Sequence, residues 1–95
     1  MAKGYWVAHV TVSDMDQYKN YVDAAPAAFE KYGARVLARG GQHVQLEGNG
    51  RPRNVVIEFP SYDDAVACYN SPEYKAARAH REPAGTADIV IVEGV

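Results

Sequence analysis

The order of elements read along this 95-residue chain, β-α-β-β-α-β, predicts an α+β fold of the ferredoxin-like kind, an antiparallel sheet with both helices on one face. Three observations carry that expectation. Runs rich in β-branched and aromatic residues alternate with stretches whose apolar residues recur at helical spacing. Each helical stretch follows a serine with an acid three residues on, the spacing of a reciprocal cap. Glycine, proline and asparagine punctuate the joints. A chain of this length has room for one core, so one domain over residues 1–95 is expected.

Residues 5–12 (Tyr-Trp-Val-Ala-His-Val-Thr-Val) read as the first strand. Ser13 is the predicted cap of the first helix, with Asp16 as its partner. Tyr18, Tyr21, Val22, Ala25, Phe29 and Tyr32 mark the apolar stripe of that helix, and Gly33 suits its end. Pro26 interrupts the stripe and predicts a kink or break over residues 23–25, because proline lacks an N–H and crowds the preceding turn. Residues 34–39 form the second strand candidate. Gly40-Gly41 then suggests a bulge, and residues 42–47 resume an extended alternation with Val44 and Leu46 on one face. Asn49-Gly50 marks a hairpin turn. The third strand spans residues 54–59 and ends at Pro60. Ser61 with Asp64 opens a helix, Ser71-Pro72-Glu73 restarts it, and Pro83 stops it. Residues 88–93 are the last strand.

The strands carry a second message. Val55-Val56-Ile57 and Ile89-Val90-Ile91-Val92 are apolar on both faces, whereas a sheet with one solvated face should alternate. Helices of one copy cover one face only. A homodimer that buries the open face is therefore the predicted partner arrangement.

Composition excludes several classes. The net charge is −2 with no block of like charge, so neither a nucleic-acid footprint nor a polybasic membrane surface is present. No apolar run approaches the roughly 20 residues of a membrane span, and no signal peptide is recognisable. One cysteine, Cys68, precludes an internal disulfide and suits a reducing compartment, so the expected location is the cytoplasm. His9, His43 and His80 lie far apart and lack the spacing of metal ligands, so no metal is expected. Cys68 on a helix reads as a small packed side chain, and there is no nucleophile elbow, phosphate loop or dinucleotide fingerprint.

The remaining candidates are charges among apolar neighbours. Glu58 lies between Ile57 and Phe59, where a carboxylate must be paired or protonated. His9 lies in the apolar first strand. Arg39 and Arg53 flank the hairpin region, and Arg78, His80 and Arg81 gather at the end of the second helical stretch. Two readings stay open. Glu58 pairs with one of the arginines to fix strand register or the dimer, or the set holds an anion or small polar ligand between helices and sheet. In the second reading Gly40, Gly41, Glu58, Tyr18, Tyr69, Tyr74 and Arg81 bind the ligand, and Glu58, His9 and His80 are candidate proton carriers.

Several motifs together resemble the domain-of-unknown-function family 1330. They are Gly40-Gly41, Leu46-Glu47-Gly48, Val56-Ile57-Glu58-Phe59-Pro60-Ser61, Tyr69-Asn70-Ser71-Pro72-Glu73-Tyr74 and Ile91-Val92-Glu93-Gly94. The resemblance covers nearly the whole chain and is most specific from Glu58 to Tyr74. It implies a dimeric α+β barrel, in which the sheets of two copies face one another, and it supplies no activity. The wider superfamily includes cofactor-free monooxygenases, chlorite dismutase-like haem enzymes and muconolactone isomerases, so fold analogy leaves the chemistry open. No residue stands out as an axial haem ligand, and no cofactor is expected. The sequence thus leads to a protein that binds or converts a small polar or aromatic metabolite between sheet and helices. Its alternative is a non-catalytic dimeric structural or interaction module.

Overall fold

Residues 2–95 are described by a computed structural model. The chain runs through β1 (Gly4–Val12), α1 (Met15–Lys31), β2 (Arg35–Arg39), β3 (Arg53–Phe59), α2 (Tyr62–Tyr69), α3 (Pro72–Arg81) and β4 (Gly85–Glu93), with a single 3-10 turn, Glu82–Ala84, before β4. The strands form one antiparallel sheet in the order β2-β3-β1-β4, the ferredoxin-like arrangement predicted from the element order.

Side chains along a strand alternate between faces, and this sorts the sheet. Trp6, Ala8 and Val10 of β1 and Ile57 and Phe59 of β3 are buried beneath the helices. The helices meet them with small residues, Ala28 of α1 and Ala65 and Cys68 of α2, and with the large ring of Tyr74 of α3. Trp6 is the centre of this layer. Its ring packs against Phe59 at 5.3 Å and edge-on against Tyr74 at 4.9 Å and Phe29 at 5.4 Å. Its indole N–H donates to the Ala65 carbonyl at 2.9 Å, so the tryptophan is buried without an orphaned donor. Tyr5, Val7, His9, Val56, Glu58, Val90 and Val92 alternate onto the opposite, helix-free face.

Four local expectations change. The cap of α1 is Asp14, not Ser13: its carboxylate accepts from the Gln17 N–H at 3.1 Å. The Ser13 and Asp14 N–H groups both donate to the Ala84 carbonyl, at 2.7 and 3.0 Å, which ties Ser13 to the strand exit and delays the helix by one residue. Pro26 does not break α1. The Val22 carbonyl that loses its donor belongs to an exposed residue, where water can replace the bond.

The bulge lies at Leu37 rather than at Gly40-Gly41. Val36 pairs with Ile57 and Ala38 with Val56, so one residue is unmatched, and Val36 and Arg39 come to share the helix-facing side. Finally, residues 42–47 form no strand. β2 ends where Gly40 takes φ 66° and its N–H donates to the Asn54 carbonyl at 2.9 Å. The alternation beyond it therefore has no sheet to pair with, and Val44 and Leu46 are exposed. The Asn49-Gly50 turn sits inside this long connection and does not close a tight hairpin.

Candidate functional site

α1 packs chiefly on α3, and on the β2–β3–β1 side a space is left between α1 and the sheet. The resulting cavity has a volume of about 350 Å³, within the size range of sites for small organic molecules. Its floor comes from β1 and β3, including Trp6, Val10, Val55 and Ile57. Its roof is α1, with Tyr18, Tyr21, Ala25 and Phe29 facing in. Val36 and Arg39 of β2 close one side, and Tyr74 and Arg81 of α3 the other.

Strand register gives this cavity a direction. Arg53 pairs with Val10, and Ile57 pairs with Trp6. Four residues of strand separate the two pairs, roughly 13 Å. At the Trp6 end the wall is aromatic and aliphatic. At the Val10 end two guanidinium groups enter, each laid over a tyrosine ring: Arg53 over Tyr18 at 5.4 Å and Arg81 over Tyr21 at 5.8 Å. Arg81 is 7% exposed, and the Nε–H groups of both Arg53 and Arg81 are buried without a hydrogen-bond partner.

The phenols link the two ends. Tyr21 and Tyr74 share a hydrogen bond of 2.9 Å between their hydroxyls. Burial pushes Tyr21 far up, and the neighbouring Tyr74 adds to the effect. Burial also raises Tyr74, against the hydrogen bond from Tyr21 and the charge of Arg81. Both phenols are therefore neutral at physiological pH. One hydroxyl proton is spent on the bond between them, so the pair has one left to donate to a ligand oxygen and cannot take a proton from it. The one carboxylate in the wall is Glu30, which is exposed and nine residues beyond Tyr21, roughly 13 Å along the helix axis. Among the described residues that line it there is no histidine, cysteine or methionine. Among the described residues, no three His, Cys, Asp or Glu side chains gather as a metal site would.

Of the residues singled out from the sequence, Tyr18, Arg39, Arg53, Tyr74 and Arg81 meet at this cavity. Glu58 does not. It alternates onto the helix-free face, half-buried, and accepts from the Tyr5 hydroxyl at 3.2 Å. Arg35 stands opposite it in the sheet, yet no arginine forms an ion pair with it among the described residues. Tyr5 is raised by its surroundings first and by Glu58 second. His9 lies on the same face, its Nδ1 2.6 Å from Asn54 Oδ1, which makes that nitrogen the donor. His80 reaches Gln17 of α1 at 3.4 Å, outside the cavity. Tyr69 backs onto Trp6 and Tyr74 but opens toward a shallower groove with Arg78, whose Nη1 donates to its hydroxyl at 2.8 Å.

Gly40 lies beside the site and Gly41 is exposed. A side chain at Gly40 would meet Arg53 Nη1 at 2.7 Å, so this glycine leaves the room in which Arg53 lies. Arg53 itself is the residue that sequence reasoning placed only near the hairpin. The signal was present: Arg53, Val55, Ile57 and Phe59 share one face at a period of two.

The fold and site together define a ferredoxin-like α+β protein with a ligand-sized cavity between its helical layer and its sheet. The chain belongs to the DUF1330 family, a domain of unknown function, whose model matches residues 3–95. No curated protein matches it. Among solved structures it is similar to RPA0582, a protein of unknown function from Rhodopseudomonas palustris, at 18% identity and a TM-score of 0.77, covering 99% of this chain and 83% of that one. It is also similar to SnoaB, a cofactor-independent oxygenase from Streptomyces nogalater, at 10% identity and a TM-score of 0.69, covering 97% and 92%. A third is a dimeric protein of unknown function and ferredoxin-like fold from Bacteroides fragilis, at 15% identity and a TM-score of 0.63, covering 96% and 95%. At these identities the likeness is one of fold.

Proposed function

We propose that this protein binds a small, largely apolar aromatic metabolite in the cavity between α1 and the sheet. The observation that carries the reading is the cavity itself, about 350 Å³ of space walled by Trp6, Phe29 and Ile57 and supplied with a phenol donor from the Tyr21–Tyr74 pair. A module that served only to hold a dimer together would have no reason to leave this space unfilled, since an empty apolar cavity costs stability. The wall supplies donors and cations but no buried proton acceptor, so its chemistry is recognition and orientation. A cofactor-independent oxygenase among the structural neighbours is in keeping with an organic ligand here.

The chain's one tryptophan lines the cavity, so its emission reports occupancy directly. One- and two-ring aromatic compounds, neutral and charged, are expected to change Trp6 fluorescence saturably. Ala25→Phe, which fills the cavity from α1, is expected to abolish the change while leaving the circular dichroism spectrum intact. Saturation by none of the compounds, or a response that survives Ala25→Phe, would overturn the reading.

A second copy of the chain is the proposed cover of the helix-free sheet face. Val90 and Val92 are exposed there, beside Val7 and Val56, and a structural neighbour is described as dimeric. No helix among the described residues is long and apolar enough to cross a membrane. With Cys68 buried and unbridged, the proposed setting is the reducing interior of the cell, with the whole chain acting as one domain.

A further inference from the structure

We infer that the ligand carries an anionic head, a carboxylate, which Arg53 and Arg81 receive at the Val10 end of the cavity while its ring lies toward Trp6. This rests on the cavity reading above and adds the charge and direction of what binds there.

The two arginines differ from Arg51 and Arg78 in lacking an ion pair among the described residues, as does Arg39 on the β2 side of the wall. Arg51 is paired with Asp88 at 2.8 Å and Arg78 with Glu82 at 3.3 Å, whereas among the described residues neither Arg53 nor Arg81 has a carboxylate within 4.0 Å. Both are nonetheless withdrawn from water, Arg81 almost completely, and each has a buried N–H with no acceptor. Two cations at one end of a cavity repel each other, and a buried donor without a partner is costly. A carboxylate between them satisfies both guanidinium groups with charge-assisted bonds and removes the repulsion.

The surroundings hold this arrangement ready. The rings of Tyr18 and Tyr21, 5.4 Å apart, support the two guanidinium groups, and Gly40 leaves the space that Arg53 occupies. Glu30, the only acid among the described residues of the wall, belongs to the opposite stretch of α1 and does not compete. The aromatic and aliphatic wall at the Trp6 end suits a ring.

The test compares naphthalene-2-carboxylate with its neutral isostere naphthalene-2-carboxamide by calorimetry at neutral pH. The unsubstituted protein is expected to bind the acid about tenfold more tightly or better, the size of a charge-assisted bond. Arg81→Gln should erase this preference while still binding the amide, and Arg81→Lys should retain part of it. Arg53→Gln, at a less buried position, carries the same comparison if Arg81→Gln fails to fold by circular dichroism. Equal affinity for acid and amide, or a preference that survives in Arg53→Gln and in folded Arg81→Gln, overturns the anionic head and leaves the cavity reading standing. Binding of neither compound overturns both.

Discussion

Cys68 is fully buried, its Sγ 3.8 Å from the Ala28 carbonyl, and burial, then the charge of Glu73, pushes the thiol up to about 12. Nucleophilic reaction requires the thiolate. An exposed cysteine, with its ordinary value of 9.0, carries roughly a thousandfold more thiolate at pH 8. Iodoacetamide at pH 8 is therefore expected to label the native chain at least about a thousandfold more slowly than the chain unfolded in urea, and a native rate approaching the unfolded one would contradict the packing described. The same distinction between buried and reachable separates the other polar residues. Glu58 and His9 have local partners on the helix-free face, Tyr5 and Asn54, whereas the Nε–H groups of Arg53 and Arg81 have no acceptor and both residues line the cavity. Residue type alone did not separate these two groups. A carboxylate in an apolar strand reads as anomalous until the face it occupies is known.

Ser71 joins two helices. Its hydroxyl donates to the Cys68 carbonyl at the end of α2, at 2.7 Å, and accepts from the Tyr74 N–H at the start of α3, at 3.1 Å. Both bonds are buried, and together they set the angle at which α3 carries Tyr74 and Arg81 to the cavity. Ser71→Ala is expected to cost about 1 kcal/mol in urea unfolding, the worth of a lost cap, since the Cys68 carbonyl keeps the Ser71 N–H at 3.2 Å. A cost near zero would show that the joint is held by packing instead. The Ser-Pro-Glu signature announced this cap in the sequence, and Ser61 likewise caps α2 through the Asp64 N–H at 3.1 Å. Such caps were legible because the relevant partners lie within three residues. The start of α1 was not, since the bonds that delay it come from Ala84, seventy residues away. The bulge at Leu37 was hidden for the same reason. It is fixed by pairing with β3, across the long connection of residues 40–52, and it decides that Arg39 shares the face of Val36.

The molecule as a whole presents two unequal faces of one sheet. The covered face leaves a cavity that runs from an aromatic wall at Trp6 to Tyr18, Arg53 and Arg81. The other bears an apolar band with polar pairs along it, Tyr5 with Glu58, His9 with Asn54, and Arg51 with both Asp88 and Thr11. If a second copy covers that band, a charge placed within it must separate the two. Sedimentation velocity at micromolar concentration is expected to find a dimer, and Val90→Glu a folded monomer. A monomeric parent protein would overturn the dimer. The order of the elements, the caps of α2 and α3 and the doubly apolar strands were determined by the sequence alone, because each depends on neighbours within a turn or on a period of two or 3.6 residues. Which polar residues meet, which are spent on local partners and which are left facing a cavity was decided by the tertiary structure, because those outcomes depend on strand register and on how far α1 stands from the sheet, distances that no local pattern encodes.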